Sequence, residues 1–174
     1  MRTLRATFTL VTVLLCGMGG RAVAERDLGV QPFDGSVDLV WTAVEATGSG
    51  HWTGSYRMQG SLADAEEGEE AFLAGWSFRC EGEMSGTAGH VERDRGDCTF
   101  EGSGNRFTAH YSGGPGPWQR SVLRIAVFGG SGVYRRVQGE GAVERVMHLP
   151  LDAPTGWGFL AGRLVWHRDP SGGD

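Results

Sequence analysis

The sequence predicts an all-β protein of about eight antiparallel strands, which either close into a barrel or stack as a β-sandwich. Apolar residues repeatedly alternate with polar ones, which is the period of a strand with one buried face. Turn-forming residues recur at short intervals, and 30 glycines supply many of them. No long segment has the periodicity of an amphipathic helix.

The predicted strands alternate with turns along most of the chain. Residues 25–35 are predicted to be an N-terminal lead, residues 90–97 a charged hairpin tip, and the Gly- and Pro-rich residues 112–117 a loop that cannot join a ladder. The eight strands are predicted at residues 36–46, 51–59, 71–87, 97–101, 105–111, 122–128, 142–148 and 157–167.

The N-terminus has the organisation of an export signal. Two arginines precede an apolar run over residues 6–18, and an A-x-A cleavage site ends at Ala24. The run is short for a membrane span. We therefore predict a signal peptide over residues 1–24, a single β-barrel domain over residues 25–174, and a secreted or periplasmic location.

The charge balance excludes some partners. The formal net charge is −5, and the signal peptide carries three arginines and no acidic residue, so its removal makes the balance more negative. A negative chain is poorly suited to bind phosphate backbones or anionic membranes. We expect no nucleic-acid partner and no membrane insertion after signal removal. The sequence leaves the oligomeric state open.

Two cysteines, Cys80 and Cys98, remain after export and predict a disulfide. A lone pair in an oxidising compartment usually forms one, and the C-x-x-C spacing of a redox motif is absent. The third cysteine, Cys16, raises the alternative of a lipoprotein. A lipoprotein would need a small residue where the chain has Leu15.

A glycine-rich stretch carries a family resemblance. Its sequence is Gly129-Gly130-Ser131-Gly132-x-Tyr134-x-x-Val137-x-Gly139-x-Gly141. It resembles a motif of dirigent proteins and allene oxide cyclase barrels, and most of all small secreted bacterial proteins of unassigned activity related to them. That bacterial group also carries a paired cysteine stretch upstream. The resemblance implies the barrel and makes the sandwich the alternative.

The same stretch predicts a local structure. Residues 122–128 and 142–148 are expected to pair as strands, and residues 133–137 to form a short helical turn between them. Glycines shape the corner, so we expect a positive φ at Gly130, Gly132 or Gly139.

Aromatic residues are the candidates for a binding site. An eight-stranded barrel is just wide enough to fill with side chains or to hold one small ligand. The aromatic residues are therefore either the core or the lining of a pocket for a small apolar or aromatic ligand. The candidate ligand-binding residues are Trp41, Tyr56, Trp76, Phe78, Phe107 and Tyr111.

No catalytic, metal or cofactor motif is recognisable. The histidines lack metal-site spacing, no serine lies in a G-x-S-x-G turn, and without lysine no P-loop exists. The acidic residues 61–70 lack the pattern of a calcium loop. We therefore expect no cofactor and a non-enzymatic binding or envelope interaction module. The resemblance supplies the alternative, an isomerase or cyclase-like enzyme acting on a hydrophobic substrate inside the barrel.

Overall fold

The computed structural model describes residues 29–63, 73–150 and 153–168. The predicted signal peptide lies outside the described residues, as does most of the predicted acidic loop. Two short 3-10 turns occur at Gly48–Gly50 and Gly132–Tyr134. The strands, numbered in chain order, are β1 Gly29–Thr47, β2 His51–Leu62, β3 Ser77–Thr87, β4 His90–Gly102, β5 Asn105–Gly113, β6 Gly116–Pro117, β7 Arg120–Ser131, β8 Val137–His148 and β9 Thr155–Arg168.

Eight of these strands form one closed antiparallel barrel. The hydrogen-bonded order is β3-β2-β1-β9-β8-β7-β5-β4, and β4 pairs with β3 to close the ring. The two-residue β6 pairs with the start of β4. A sandwich would leave two open sheets, so the closed ring confirms the predicted barrel.

The predicted pairing around the glycine-rich stretch is confirmed. β7 and β8 are antiparallel, with Val122 opposite Glu144 and Phe128 opposite Gln138. Alternation on β7 buries the apolar side chains that the pattern assigned to the core, namely Leu123, Ile125 and Val127.

The glycines of this hairpin differ partly from expectation. Gly132 has the predicted positive φ of 60°, but Gly130 and Gly139 lie in extended strands, and the further positive φ values of the corner are 75° at Gly129 and 65° at Arg136. The left-handed residues therefore lie on both sides of the compact turn. Gly139 serves another purpose, because a Cβ there would press on the backbone of β9.

The first strand begins earlier than predicted. β1 starts at Gly29 and includes Pro32, whereas residues 25–35 were expected to be a lead. β2 pairs with β1 from Gly35 onward, so the preceding residues have a neighbour on one side, in β9. Proline is tolerated at such an edge because no hydrogen-bond donor is required there.

The predicted hairpin tip at residues 90–97 is wrong. These residues belong to β4, and the turn before it is at residues 88–89, where Gly89 has a positive φ of 77°. A bulge interrupts the β3–β4 register: Ser85 pairs with Arg93, and Gly86 pairs with Val91. The extra residue reverses the alternation on β4, which the sequence pattern did not reveal.

Two further boundaries differ. β3 begins at Ser77 rather than at residue 71, because residues 73–75 form a turn in which Leu73 has a positive φ of 74°. The loop predicted at residues 112–117 contains β6, so Gly116 and Pro117 do join a ladder. Pro117 is compatible with this ladder because β6 lies at the end of the sheet order.

Candidate functional site

The aromatic residues predicted to bind a ligand are buried inside the barrel. Trp76 packs against Phe107 with ring centroids 5.7 Å apart, in one group. Trp41 packs edge-on against Tyr56 at 5.8 Å, in a second group. The packing is that of a core, and a role in ligand binding stays a prediction for Trp41, Tyr56, Trp76, Phe78, Phe107 and Tyr111.

Three indoles pack together at the end of the barrel where β2 begins. Trp118, in the turn between β6 and β7, lies parallel to Trp41 with ring centroids 6.3 Å apart. It also meets Trp52 edge-on at 4.6 Å. The Trp52 indole donates a hydrogen bond of 3.0 Å to the carbonyl of Thr87 on β3. These contacts fill this end of the barrel with aromatic rings.

A polar network crosses the middle of the barrel. Asp94 on β4 and Arg145 on β8 are 0% and 2% exposed and form a buried ion pair. Tyr56 on β2 donates a hydrogen bond of 2.5 Å to the second carboxylate oxygen of Asp94. The Tyr111 hydroxyl, from β5, lies 2.6 Å from that of Tyr56. We call these four residues the cross-barrel network.

The donors and acceptors of the network have a defined order. Tyr56 gives its proton to Asp94, so in the contact with Tyr111 it is Tyr111 that donates. Arg145 donates to both Asp94 and, at 3.4 Å, the oxygen of Tyr56. Both carboxylate oxygens are engaged, which is what a buried charge requires.

The environment keeps these groups in fixed protonation states. Burial raises the pKa of the Tyr56 phenol above its ordinary value, and the nearby Asp94 adds to the shift. Burial likewise raises the pKa of Tyr111, with Tyr56 and Asp94 adding to it. Burial works to lower the pKa of Arg145, but Asp94 and Tyr56 outweigh it and leave that pKa raised. The phenols therefore stay neutral donors.

Glycines in the barrel wall make room for this network. A Cβ on Gly82 of β3 would collide with the Tyr111 hydroxyl and would lie 2.8 Å from the Tyr56 hydroxyl oxygen. A Cβ on Gly96 of β4 would also collide with the Tyr111 hydroxyl. The β4 bulge turns Asp94 inward toward the same space. Local backbone features on two neighbouring strands thus position the network.

Beside the network lies a cavity of about 30 Å³. Phe33, Met58, Val143 and Arg145 are among the residues that line it. The Arg145 Nε is buried and has no hydrogen-bond partner among the described residues. The volume is of the order needed for one or two water molecules and about tenfold below that of typical ligand pockets.

The outer surface of β2 to β5 is polar. An open depression of about 600 Å³ lies there, with Tyr56 and Tyr111 of the cross-barrel network among its lining residues. Charged side chains pair across the strands around it. Arg57 contacts Glu81 at 3.2 Å and Arg95 contacts Glu83 at 3.0 Å, all four well exposed. Such pairs are typical of a solvated barrel exterior.

The outer surface of β7 to β9 carries exposed apolar side chains beside charged ones, which include the Arg120–Glu144 ion pair. Four of the exposed apolar side chains are Val122, Val146, Trp157 and Phe159, which are 63%, 47%, 56% and 61% exposed, and Phe128 and Val165 lie farther along the same strands. Val146 lies directly opposite Phe159 across the β8–β9 ladder, so these side chains are neighbours. We call these four residues the outer apolar face. Exposed aromatic side chains in one cluster mark interaction surfaces.

The predicted disulfide is present. Cys80 and Cys98 are directly opposite on β3 and β4 and are joined within the core. Within the described ranges, no group of three or more His, Cys, Asp or Glu side chains is arranged to hold a metal. In the same part of the chain, no helix has the length and apolar character needed to cross a bilayer.

Sequence reasoning missed Asp94 and Arg145. Arg145 has a signal in the sequence, because it alternates in phase with Val143 and Met147, which are both buried. Asp94 has a mixed signal, because it is in phase with the buried Cys98 and Phe100 but the bulge on β4 puts it out of phase with Val91. The outer apolar face is not evident from alternation, because both sides of β9 carry apolar side chains: Trp157 and Phe159 face outward, and Leu160 and Leu164 face inward.

Comparisons with known proteins identify a similar structure but no matching family. No family model matches the chain, and no curated protein matches it. A solved structure of a pterocarpan synthase dirigent protein is similar, with 11% identity and a TM-score of 0.43 over 93% of this chain and 100% of that one. Nothing about ligand or activity follows at such low similarity, and the barrel rests on the strand pairing itself.

Proposed function

We propose that this protein is an exported, non-enzymatic interaction module that binds through the outside of its barrel. The observation that carries the proposal is the packed interior. A cavity of about 30 Å³ is far below the roughly 300–1,000 Å³ of typical ligand pockets. The barrel interior therefore serves as a core, and binding is left to the surface.

The outer apolar face supports a surface role. Phe159 and Trp157 are both more than half exposed. Leaving aromatic side chains in water forgoes the stabilisation that their burial would give, about 25 cal/mol for each Å² of apolar surface. A protein that binds through this face recovers that stabilisation in the complex.

The alternative, an isomerase or cyclase, finds less support. It requires a substrate beside an available acid or base. Asp94 is the fully buried carboxylate, but Arg145 and Tyr56 engage both of its oxygens. An organic substrate would also have to displace core side chains to reach it. The network is therefore better suited to fixing the barrel than to transferring protons.

Export rests on the predicted signal peptide, and the Cys80–Cys98 disulfide is compatible with it. The intact mass of protein secreted from a bacterial host tests this. Cleavage after Ala24 predicts a chain that begins at Glu25. Full-length protein with free thiols in the cytosol would disprove export.

A fluorescent apolar probe, 8-anilinonaphthalene-1-sulfonate, distinguishes surface from interior binding. We expect saturable binding to the folded mature protein, lost in the double variant Trp157→Ser, Phe159→Ser. The matched control is Phe128→Ser, which removes an exposed aromatic side chain at the opposite end of β7, where it stacks on His110, and should leave binding unchanged. Circular dichroism establishes that each variant is folded.

A variant that fills the cavity tests whether the probe binds inside the barrel instead. Val143 lines the cavity, so Val143→Met reduces the interior space without touching the outer surface. Probe binding that survives the double outer variant but is lost in Val143→Met would place the site inside and overturn the proposal. Absence of any probe binding to the wild-type protein would overturn it as well.

A further inference from the structure

We infer that the peptide bond between Arg135 and Arg136 is a cleavage site for an arginine-specific protease, and that the cleaved protein stays assembled as a two-chain barrel. The site lies in the corner between β7 and β8, residues 132–136. Three features carry the inference: the position of the corner outside the ladders, its two exposed arginines, and the backbone conformation of Arg136. The inference is independent of the proposed surface function.

The corner is where arginine occurs outside a strand. The chain has no lysine, so a protease that cleaves after basic residues can recognise only arginine. All other arginines that the structure describes lie within β2 to β5 or β7 to β9. A strand held in a ladder resists proteolysis because its backbone must first be released, whereas exposed loop tips are preferred sites of cleavage.

The backbone of the corner is not held by neighbouring strands. Ser131 before it pairs with β5 and Val137 after it pairs with β9, whereas residues 132–136 pair with no strand of the described chain. A backbone hydrogen bond of 3.2 Å from the Arg135 N–H to the Gly132 carbonyl spans the turn. Because no ladder has to be disrupted, local opening of this segment costs less free energy than opening a strand.

The side chains select which bond is cleaved. Arg135 and Arg136 are both exposed, whereas Val137 is 2% exposed and belongs to the core. A protease of the trypsin class binds the guanidinium before the bond in a pocket that contains a carboxylate. Cleavage after Arg136 would require Val137 to leave the core, but cleavage after Arg135 would not. The geometry therefore favours the Arg135–Arg136 bond.

Arg136 has a strained backbone. Its φ is 65°, in the left-handed region that residues with a Cβ rarely adopt. Such a residue is held in place by the structure around it, and strain of this kind is found at functional sites. Hydrolysis of the bond before Arg136 makes it a chain terminus and removes the constraint on this φ.

The reaction is the hydrolysis of one amide by water. The bond between the carbonyl carbon of Arg135 and the nitrogen of Arg136 breaks. The water oxygen ends in the new carboxylate of Arg135, and both water protons end on the Arg136 nitrogen, which becomes an ammonium group. Both new charges lie at the exposed corner, where water solvates them.

The cleaved barrel stays assembled because β8 is held on both sides. It pairs with β7 from Gln138 onward and with β9 along its whole length, and β9 in turn pairs with β1. Inside the barrel, Arg145 of β8 keeps its ion pair with Asp94 of β4. All of these contacts lie outside the corner. The two pieces can therefore separate only when the barrel unfolds.

Limited digestion of the folded mature protein with trypsin tests the inference. We expect the first internal cleavage after Arg135, identified by the masses of the fragments, which distinguish it from trimming near the termini. The product should elute as one intact barrel in size-exclusion chromatography. On a denaturing gel it should separate into two fragments even without reductant, because Cys80 and Cys98 both precede the cleaved bond.

Single substitutions test the chosen bond. Arg135→Gln should slow cleavage at the corner by at least about tenfold, because the guanidinium that the protease binds is lost. Arg136→Gln should be cleaved at a rate close to that of the wild type. The matched control Arg106→Gln replaces an exposed arginine held in the ladder of β5 and should leave the rate unchanged. Circular dichroism establishes that each variant is folded.

Each contrary result overturns a stated part of the inference. A first internal cleavage within a strand, resistance of the corner to trypsin, or equal rates for Arg135→Gln and the wild type would overturn the site. Fragments that separate in size-exclusion chromatography without denaturant would overturn the two-chain barrel. None of these results changes the expected binding of the fluorescent probe to the outer apolar face.

Discussion

Arg145 and Val146 are consecutive on β8, and each faces the side that its chemistry would not suggest. Arg145 points into the barrel and is 2% exposed, whereas Val146 points outward and is 47% exposed. The buried charge is tolerated because Asp94 and Tyr56 satisfy it. No comparable contact within the described chain covers Val146. Inside, most of the polarity is compensated within the molecule; outside, apolar side chains are exposed to solvent.

The strongest test of this contrast is Arg145→Met. It leaves the buried Asp94 carboxylate without its counter-charge, so we expect a loss of about 3–5 kcal/mol in the free energy of unfolding. The double variant Asp94→Leu, Arg145→Met should recover most of that loss, because neither charge remains.

Urea denaturation measures both variants. The matched control is Arg57→Met, which breaks an exposed ion pair and should cost less than about 1 kcal/mol. If Arg145→Met costs no more than Arg57→Met, the inner network does not stabilise the fold as described.

Removing the buried disulfide tests how much the interior stabilises the fold. Cys80 and Cys98 are 18 residues apart in sequence, and replacing both with alanine should lower the free energy of unfolding by about 3 kcal/mol. Guanidinium denaturation in the presence and absence of a reductant provides the measurement. Reductant should affect the wild type and leave the double variant unchanged; equal stability of the two proteins without reductant would contradict the prediction.

The buried phenols predict an alkaline limit to stability. The pKa values of Tyr56 and Tyr111 are raised in the folded state, whereas unfolded tyrosines ionise near pH 10. The unfolded chain therefore loses protons that the folded chain keeps. The stabilisation is complete below about pH 10 and declines above it, by about 1.4 kcal/mol per pH unit for each phenol.

Unfolding free energies measured between pH 8 and 11 test this slope. Tyr111→Phe removes one of the two groups and should make the decline shallower. A stability that is constant across this range, or phenol absorbance showing that both tyrosines ionise while the barrel is still folded, would contradict the assignment.

The smallest effect is expected on the outer apolar face. Phe159→Ala should change the free energy of unfolding by no more than about 1 kcal/mol, the range of strand propensities. Phe107→Ala, the matched interior change, should cost about 3–5 kcal/mol. Thermal unfolding at low protein concentration compares them. A large loss for Phe159→Ala would show that this side chain belongs to the core.

The fold was largely predictable because local patterns determine it. Alternation identified the buried side of β7, with Leu123, Ile125 and Val127, and the glycine-rich stretch identified the hairpin to β8. The disulfide was predictable from the count of cysteines and the expectation of export. Each of these signals lies in a few adjacent residues and does not require knowledge of distant contacts.

The cross-barrel network was not predictable in the same way. Asp94 turns inward because of a bulge that depends on the partner strand β3, and its charge is tolerated only because Arg145 approaches from β8, 51 residues away. A charged stretch with no visible partner therefore suggested a solvated hairpin tip. The start of β1 was missed for a related reason, since Pro32 depends on pairing with β9.

The pairing of β1 with β9 also constrains the order of folding. Twelve registered pairs, from Gly29 with Trp166 to Val40 with Thr155, join the first strand to the last. Their ladder cannot form until nearly the whole chain is available, and such distant contacts slow folding because a long loop must be closed first. Until then β1 and β9 present open edges to other chains. A chaperone that shields β1 during synthesis or translocation would act at the step where this barrel is most exposed to aggregation.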